Sequence, residues 1–212
     1  MRRLISSPPG IASSSIGTQR WQGEYERLAD AAGVVALIAS AASDAAQARA
    51  LCDLLHAGGF STLCVEAAVP TSAPGGLDTL APRLVEALEW LRDSGAGAAV
   101  GLFGRGLAGS AALRAAALRP ALVAALVAQD ASPDALLEDL PRVRAATLLV
   151  VGDDDAALLL AQRRALPLLG GARRLEIVPG SGPGRADPVA TQAVGHLATQ
   201  WFAQQLPLRH LH

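Results

Sequence analysis

One turn and one acidic run hold most of the residues whose types and spacing could do chemistry. Gly104, Gly106 and Gly109 spell G-x-G-x-x-G between a predicted strand and a predicted helix, and Asp130 ends the next predicted strand. In that pattern the glycines admit a pyrophosphate to the helix N-terminus, and the acid holds a ribose hydroxyl. The same spacing also makes a tight turn with small residues for helix–strand packing, and a chain with 21 Gly meets it readily. Arg105 lies inside the turn. It brings a fixed charge and several donors to a helix N-terminus, where a carboxylate or phosphate is at home. Asp153, Asp154 and Asp155 follow Gly152 as a block. Clustered carboxylates can push one pKa upward, which suits acid–base work. The same block can serve as the ion-pair partner of Arg105, a structural tie with no chemistry.

Other candidates have plainer explanations. Ser110 lies one helical turn beyond Gly106 and reads as a small packing residue. Cys64 and Glu66 end a predicted strand at its carboxyl edge, but no base accompanies the thiol. Cys52 and Cys64 lack metal-ligand spacing and read as small buried residues of a reducing compartment. His56 falls near a helix C-terminus, where the dipole favours it. His196 falls within the last helix, and His210 and His212 lie in the tail.

The elements that must position these residues follow from periodicity. Residues 34–39, 60–66, 98–103, 122–128, 147–151 and 173–178 are short apolar runs, predicted as strands buried on both faces. A first helix is expected from Ser43 or Asp44 to the Gly58-Gly59 break. A second carries Leu77, Leu80, Leu84, Leu88 and Leu91 on one face, and a last helix after Pro188 presents Val189, Ala193, Leu197 and Trp201. Strand, helix and strand in alternation imply a doubly wound, mostly parallel α/β sheet with helices on both faces. Residues 1–19, rich in Ser, Pro and Gly, read as a flexible N-terminal arm. Residues 20–206 form a single domain, opening on an edge strand over residues 20–28 that contains Trp21 and Tyr25. Residues 207–212 form a tail.

Ligands of such sheets sit beyond the carboxyl ends of the strands, and there the sequence matches a known pattern. Gly101-Leu102-Phe103-Gly104 precedes Arg105-Gly106-Leu107-Ala108. Leu140-Pro141-Arg142-Val143 leads through residues 147–151 into Gly152-Asp153-Asp154-Asp155, and Leu175-Glu176-Ile177-Val178-Pro179-Gly180 follows. From about Gly33 to Phe202 the chain resembles bacterial α/β hydrolases of the dienelactone-hydrolase-like group, without a large cap domain. The order of elbow, acid and histidine loop is that of the fold. The resemblance places the nucleophile at Gly106 and the acid at Asp155, with Asp153 and Asp154 as alternatives. It places the histidine at or near Pro183. Ser40, after the first core strand, stands where related enzymes carry a His-Gly pair of the oxyanion region.

Glycine has no side chain to attack a carbonyl, and proline cannot relay a proton. Serine and histidine act as a unit, so substituting both removes the covalent route. The leading expectation is a non-catalytic pseudoenzyme that binds a small ligand, an anion among the candidates, or a protein partner, with Ser40, Arg105, Leu107, Asp153 and Asp154 as contacts. Alternatives are a hydrolase or lyase using Asp153, Asp154 or Asp155 with Arg105, and a dinucleotide-binding domain using the glycine turn. No cofactor and no metal is expected.

Composition narrows the setting. The net charge is −1 and the 18 basic residues, all Arg, are scattered, which argues against nucleic acid and anionic membranes as partners. Ser6, Ser7, Pro8 and Pro9 stand where a secretory segment would be apolar, and Arg105, Arg114 and Arg119 interrupt the longest apolar runs. A soluble cytoplasmic protein is expected. A homodimer through a terminal helix or an edge strand is compatible with the sequence.

Overall fold

The computed structural model describes residues 11–18, 21–39, 45–66, 75–95, 100–182 and 187–206. The candidates Ser40, Ser43, Asp44, Pro183, His210 and His212 lie outside the described residues. Eight strands form one sheet: β1 Ile11–Gly17, β2 Gln22–Leu28, β3 Gly33–Ala39, β4 Phe60–Glu66, β5 Val100–Arg105, β6 Val123–Gln129, β7 Ala146–Val151 and β8 Arg173–Ile177. Their order is β1-β2-β4-β3-β5-β6-β7-β8. The pairs β1–β2 and β2–β4 are antiparallel, and every later pair is parallel.

Apolar residues on both sides of the parallel strands explain this arrangement. On β3, Val34, Ala36 and Ile38 enter a core built with helices α2 (Gly76–Asp93) and α3 (Leu107–Leu118). Val35 and Leu37 enter a second core with α1 (Ala45–Ala57) and α5 (Pro188–Gln205). Alternation in direction, with both sides buried, is what makes these strands read as continuous apolar runs. Helix α4 (Ala156–Ala165) starts at Asp155. Among the described residues, no helix is long and apolar enough to cross a membrane.

Two expectations need correction. The segment read as a loose arm contains β1, paired along its whole length with β2, from Ile11 opposite Leu28 to Gly17 opposite Gln22. Its serines show no apolar period because they are largely exposed. Backbone pairing, with Ser13 Oγ donating to Glu24 at 2.6 Å, holds the strand. Residues 22–28 are consequently an inner strand between β1 and β4, not the edge. In α5 the buried stripe is Ala190, Val194, Ala198, Trp201 and Phe202, one residue out of phase with the expected set, and Val189 is 75% exposed.

Helix α5 presses on β5 where only glycine fits. A Cβ on Gly101 would lie 2.9 Å from two ring carbons of the fully buried Phe202 and 3.2 Å from Val35 Cγ2. Gly101→Ala is expected to destabilise the protein by about 1–3 kcal/mol through overpacking, read as a lowered midpoint in urea unfolding with an unchanged slope.

Candidate functional site

The β5–α3 turn is built by close backbone approach. A Cβ on Gly104 would run into the Ala108 carbonyl, and one on Gly109 would lie 2.9 Å from Gly104 O and 3.1 Å from Ala131 Cβ. Both glycines are therefore packing requirements. Gly106, the residue before α3, has φ 57° and ψ −124°, and its N–H donates to Gln129 O at 2.8 Å. A sharp strand-to-helix turn in a conformation that side chains disfavour is the geometry of a nucleophile elbow. A Cβ at Gly106 would meet nothing within 4 Å, so the turn faces open space. Leu107 opens α3, and its N–H is among those without an intrahelical acceptor. Ser110 is buried and structural: its Oγ accepts from Ser132 N at 3.1 Å and donates to Ser132 O at 3.0 Å.

Parallel pairing sets Arg105 opposite Gln129, so Asp130 stands beside the elbow. Arg105 Nε lies 3.6 Å from Asp130 Oδ2, and the guanidinium donates to Gly182 O at 3.1 Å and to Gln47 Oε1. Sequence reasoning does not assign Asp130 to Arg105; it offers the carboxylate to a ribose. Asp130 has φ 49°, an uncommon conformation for a residue other than glycine. Its side chain is 1% exposed. Gly152 N approaches Oδ1 at 3.4 Å, and Gln129 Nε2 donates to Oδ2 at 3.3 Å and to Ser181 O at 3.1 Å. Burial pushes the Asp130 carboxyl up to about 6, against the opposing pull of Arg105 and of the Gly152 and Gln129 donors.

The acidic block holds loops. Asp153 Oδ1 accepts from Gly180 N at 3.2 Å. The Asp154 carboxylate lies against Gly182, where a Cβ would collide with it. Asp155 caps α4, accepting from Leu158 N at 2.9 Å. Asp153 and Asp154 thus strap residues 180–182, the segment that leads to Pro183, and Arg105 donates to the same segment.

Next to this network is a cavity of about 60 Å³ under the carboxyl ends of β3, β5 and β6. Leu37, Leu51, Phe103 and Val194 supply apolar walls, while Arg105, Gln129 and Asp187 supply polar ones. The remaining candidates lie elsewhere. His56 is buried beside Thr62 Oγ1 at 2.9 Å and Glu26 Oε2 at 3.5 Å, and burial lowers its pKa. Burial raises the Cys52 thiol to about 12 and the Cys64 thiol to about 11, which leaves neither as a ready nucleophile. His196 is exposed. No group of three or more His, Cys, Asp or Glu among the described residues could hold a metal ion.

Comparison with solved structures supplies the family. The dienelactone hydrolase of Anabaena variabilis superposes with a TM-score of 0.81 at 30% identity, over 92% of this chain and 98% of that one. The chain belongs to the dienelactone-hydrolase-like α/β hydrolases. A hydrolase of Thermoplasma acidophilum (TM-score 0.68, 18% identity, 90% of this chain and 98% of that chain) and an esterase of Pyrococcus furiosus (0.71, 12%, 92% and 93%) share the fold. No family model matches the sequence. A protein of Mycobacterium tuberculosis provisionally named a phosphoribosyl transferase, found in two strains, is 31% identical over 165 residues, 74% of this chain. The chain spans 37% of the length of those curated relatives.

The Asp130 carboxyl gives a signed pH dependence. Its folded pKa is raised from 3.8 to about 6, so the folded state holds the proton after the unfolded chain has released it. This contribution is full below about pH 4 and is lost as pH rises to about 6. A shift of about two units corresponds to at most about 3 kcal/mol. Asp130→Asn keeps a residue tolerant of positive φ and should flatten this fall, seen in urea unfolding at pH 4, 5, 6 and 7.

Proposed function

We propose that this protein is a non-hydrolytic member of its family, a small-molecule-binding domain on the α/β-hydrolase fold. The observation that carries the reading is Gly106: the turn keeps the φ and ψ of a nucleophile elbow and opens onto free space, yet the residue has no side chain. The sequence also has Pro183 where the resemblance puts the histidine. Without nucleophile and base, the Leu107 N–H and the end of α3 can attract a polar group but cannot form an acyl-enzyme.

The surrounding residues fit binding better than a relocated active site. Asp153, Asp154 and Asp155 support loops and a helix cap, and Asp130, whose raised pKa would suit a proton carrier, is nearly inaccessible. The dinucleotide alternative loses support because Gly104 and Gly109 are consumed by packing and Asp130 by Arg105, Gln129 and Gly152. A walled cavity beside Arg105 favours a small ligand over a protein partner. The reading takes nothing from the name of the curated relatives, of whose length this chain spans 37%.

Purified protein should leave p-nitrophenyl acetate hydrolysis at the buffer rate and should not label with a fluorophosphonate probe. Gly106→Ser should lower stability by about 1–3 kcal/mol, since a side chain is strained at this φ, and should still hydrolyse nothing. Labelling of the unmodified protein would overturn the assignment of Gly106 as the nucleophile position.

A further inference from the structure

Strand β8 ends the sheet. Among the described residues no strand lies beyond it, and Arg173, Arg174 and Ile177 are exposed. Hydrogen bonds at its two ends show which backbone groups are spent on β7: Thr147 N donates to Ala172 O at 2.7 Å, and Val178 N donates to Val151 O at 2.9 Å. Along a parallel strand such groups alternate, so those of Arg174 and Glu176 also face β7. The N–H and C=O groups of Arg173, Leu175 and Ile177 therefore point to the open side.

A second copy of the same strand fits that edge in one register. When two β8 strands run antiparallel about a two-fold axis at Leu175, the outward groups of residues 173, 175 and 177 meet those of 177, 175 and 173, each as a hydrogen-bonded pair. Arg174 then stands opposite the partner's Glu176, and Glu176 opposite the partner's Arg174. These are the non-hydrogen-bonded positions, where side chains of neighbouring strands come closest. Arg174 and Glu176 already pair within one chain, so they share a face of the strand and exchange partners across the axis. On the other face Leu175 meets its own copy, and Ile177, 41% exposed, packs on the stem of the partner's Arg173. An axis at residue 174 or 176 instead would set Arg against Arg or Glu against Glu. Charges on an edge strand ordinarily deter pairing, but the order Arg-Leu-Glu is its own complement when reversed. The opposite edge, β1, has no charged residue with which to set a register.

We propose that the protein forms a homodimer in which β8 of each protomer pairs antiparallel about Leu175, joining the two sheets into one. The contact is isologous, so it closes on itself. None of the β8 residues lines the cavity beside Arg105, and the proposal does not rest on the ligand reading.

Sedimentation velocity of the full chain should show a species of twice the 21.6 kDa protomer mass. Glu176→Arg sets Arg against Arg across the axis, and Arg174→Glu sets Glu against Glu. Each variant alone should dimerise at least ten-fold more weakly than the unmodified chain. Mixed in equal amounts, the two should recover the dimer, because every charge pair across the axis is again of opposite sign. Hydrogen exchange on the unmodified chain needs no variant to fold: the amides of Leu175 and Ile177 should be protected in the dimer and lose that protection on dilution. A monomer at the highest soluble concentration, or Leu175 and Ile177 amides that exchange freely in a dimer, would overturn the proposal. So would single variants, folded by circular dichroism, that dimerise as tightly as the unmodified chain or stay monomeric when mixed.

Discussion

Helix α3 can begin directly off the end of β5 only where nothing separates the two backbones. Gly104 against the Ala108 carbonyl, and Gly109 against the Gly104 carbonyl and Ala131, meet that condition. One further bond, from Gly106 N to Gln129 O, ties the turn to the next strand. Because β5 is central in the sheet, this junction fixes how α3 lies over one core and where the carboxyl edge of the sheet opens. The opposite face has its own close approach at Gly101, where Phe202 packs α5 onto the same strand. Strand β5 is thus gripped from both sides through positions that tolerate no side chain, and the cavity lies on the α1 and α5 side of it.

Across the carboxyl edge, a buried electrostatic network does the positioning. Removing Arg105 and Asp130 from water is costly, and their mutual attraction need not recover that cost. The raised Asp130 carboxyl is the visible sign that burial outweighs the neighbouring donors. In return the network joins three segments. Arg105 follows from β5, Gln129 and Asp130 from β6, and Gly182 and Ser181 from the loop after β8. Asp153 and Asp154 reach that loop from the β7 side. A segment that the family resemblance associates with proton transfer is held here by backbone carbonyls and N–H groups, contacts that need no titrating side chain from the loop itself.

What could be read from the sequence follows from where the stabilising free energy resides. Strands covered on both faces must be apolar throughout, so the runs that become β3 to β7 were legible; β8, expected to be buried on both faces, is instead the edge of the sheet and largely exposed, with Arg173, Arg174 and Glu176 along it. Strand β1 was not legible, because backbone pairing with β2 holds it and its serines bury little apolar surface. The phase of α5 slipped by one residue because Trp201 belongs to the stripe in either reading, and because the larger Val189 and Leu197 marked the wrong face over the smaller, buried Ala190 and Ala198. The turn at Gly106 was visible because close packing demands glycines at recognisable spacing. The Arg105–Asp130 contact was hidden by their separation in sequence, although a clue existed: residues that end neighbouring parallel strands in register are neighbours in space.

The shape of the elbow is therefore separable from its chemistry. Its backbone path is dictated by Gly104 and Gly109, by the bond to Gln129, and by Ser110 anchoring the loop after β6, none of which requires a nucleophile at position 106. A side chain there would add strain at φ 57° without adding a packing contact, since only open space lies beyond it. Glycine is the residue that this backbone favours when catalysis makes no demand. The walls beside the turn then carry the chemistry of this edge of the sheet: a guanidinium 3.6 Å from the Asp130 carboxylate, facing the apolar side chains of Leu37, Leu51, Phe103 and Val194.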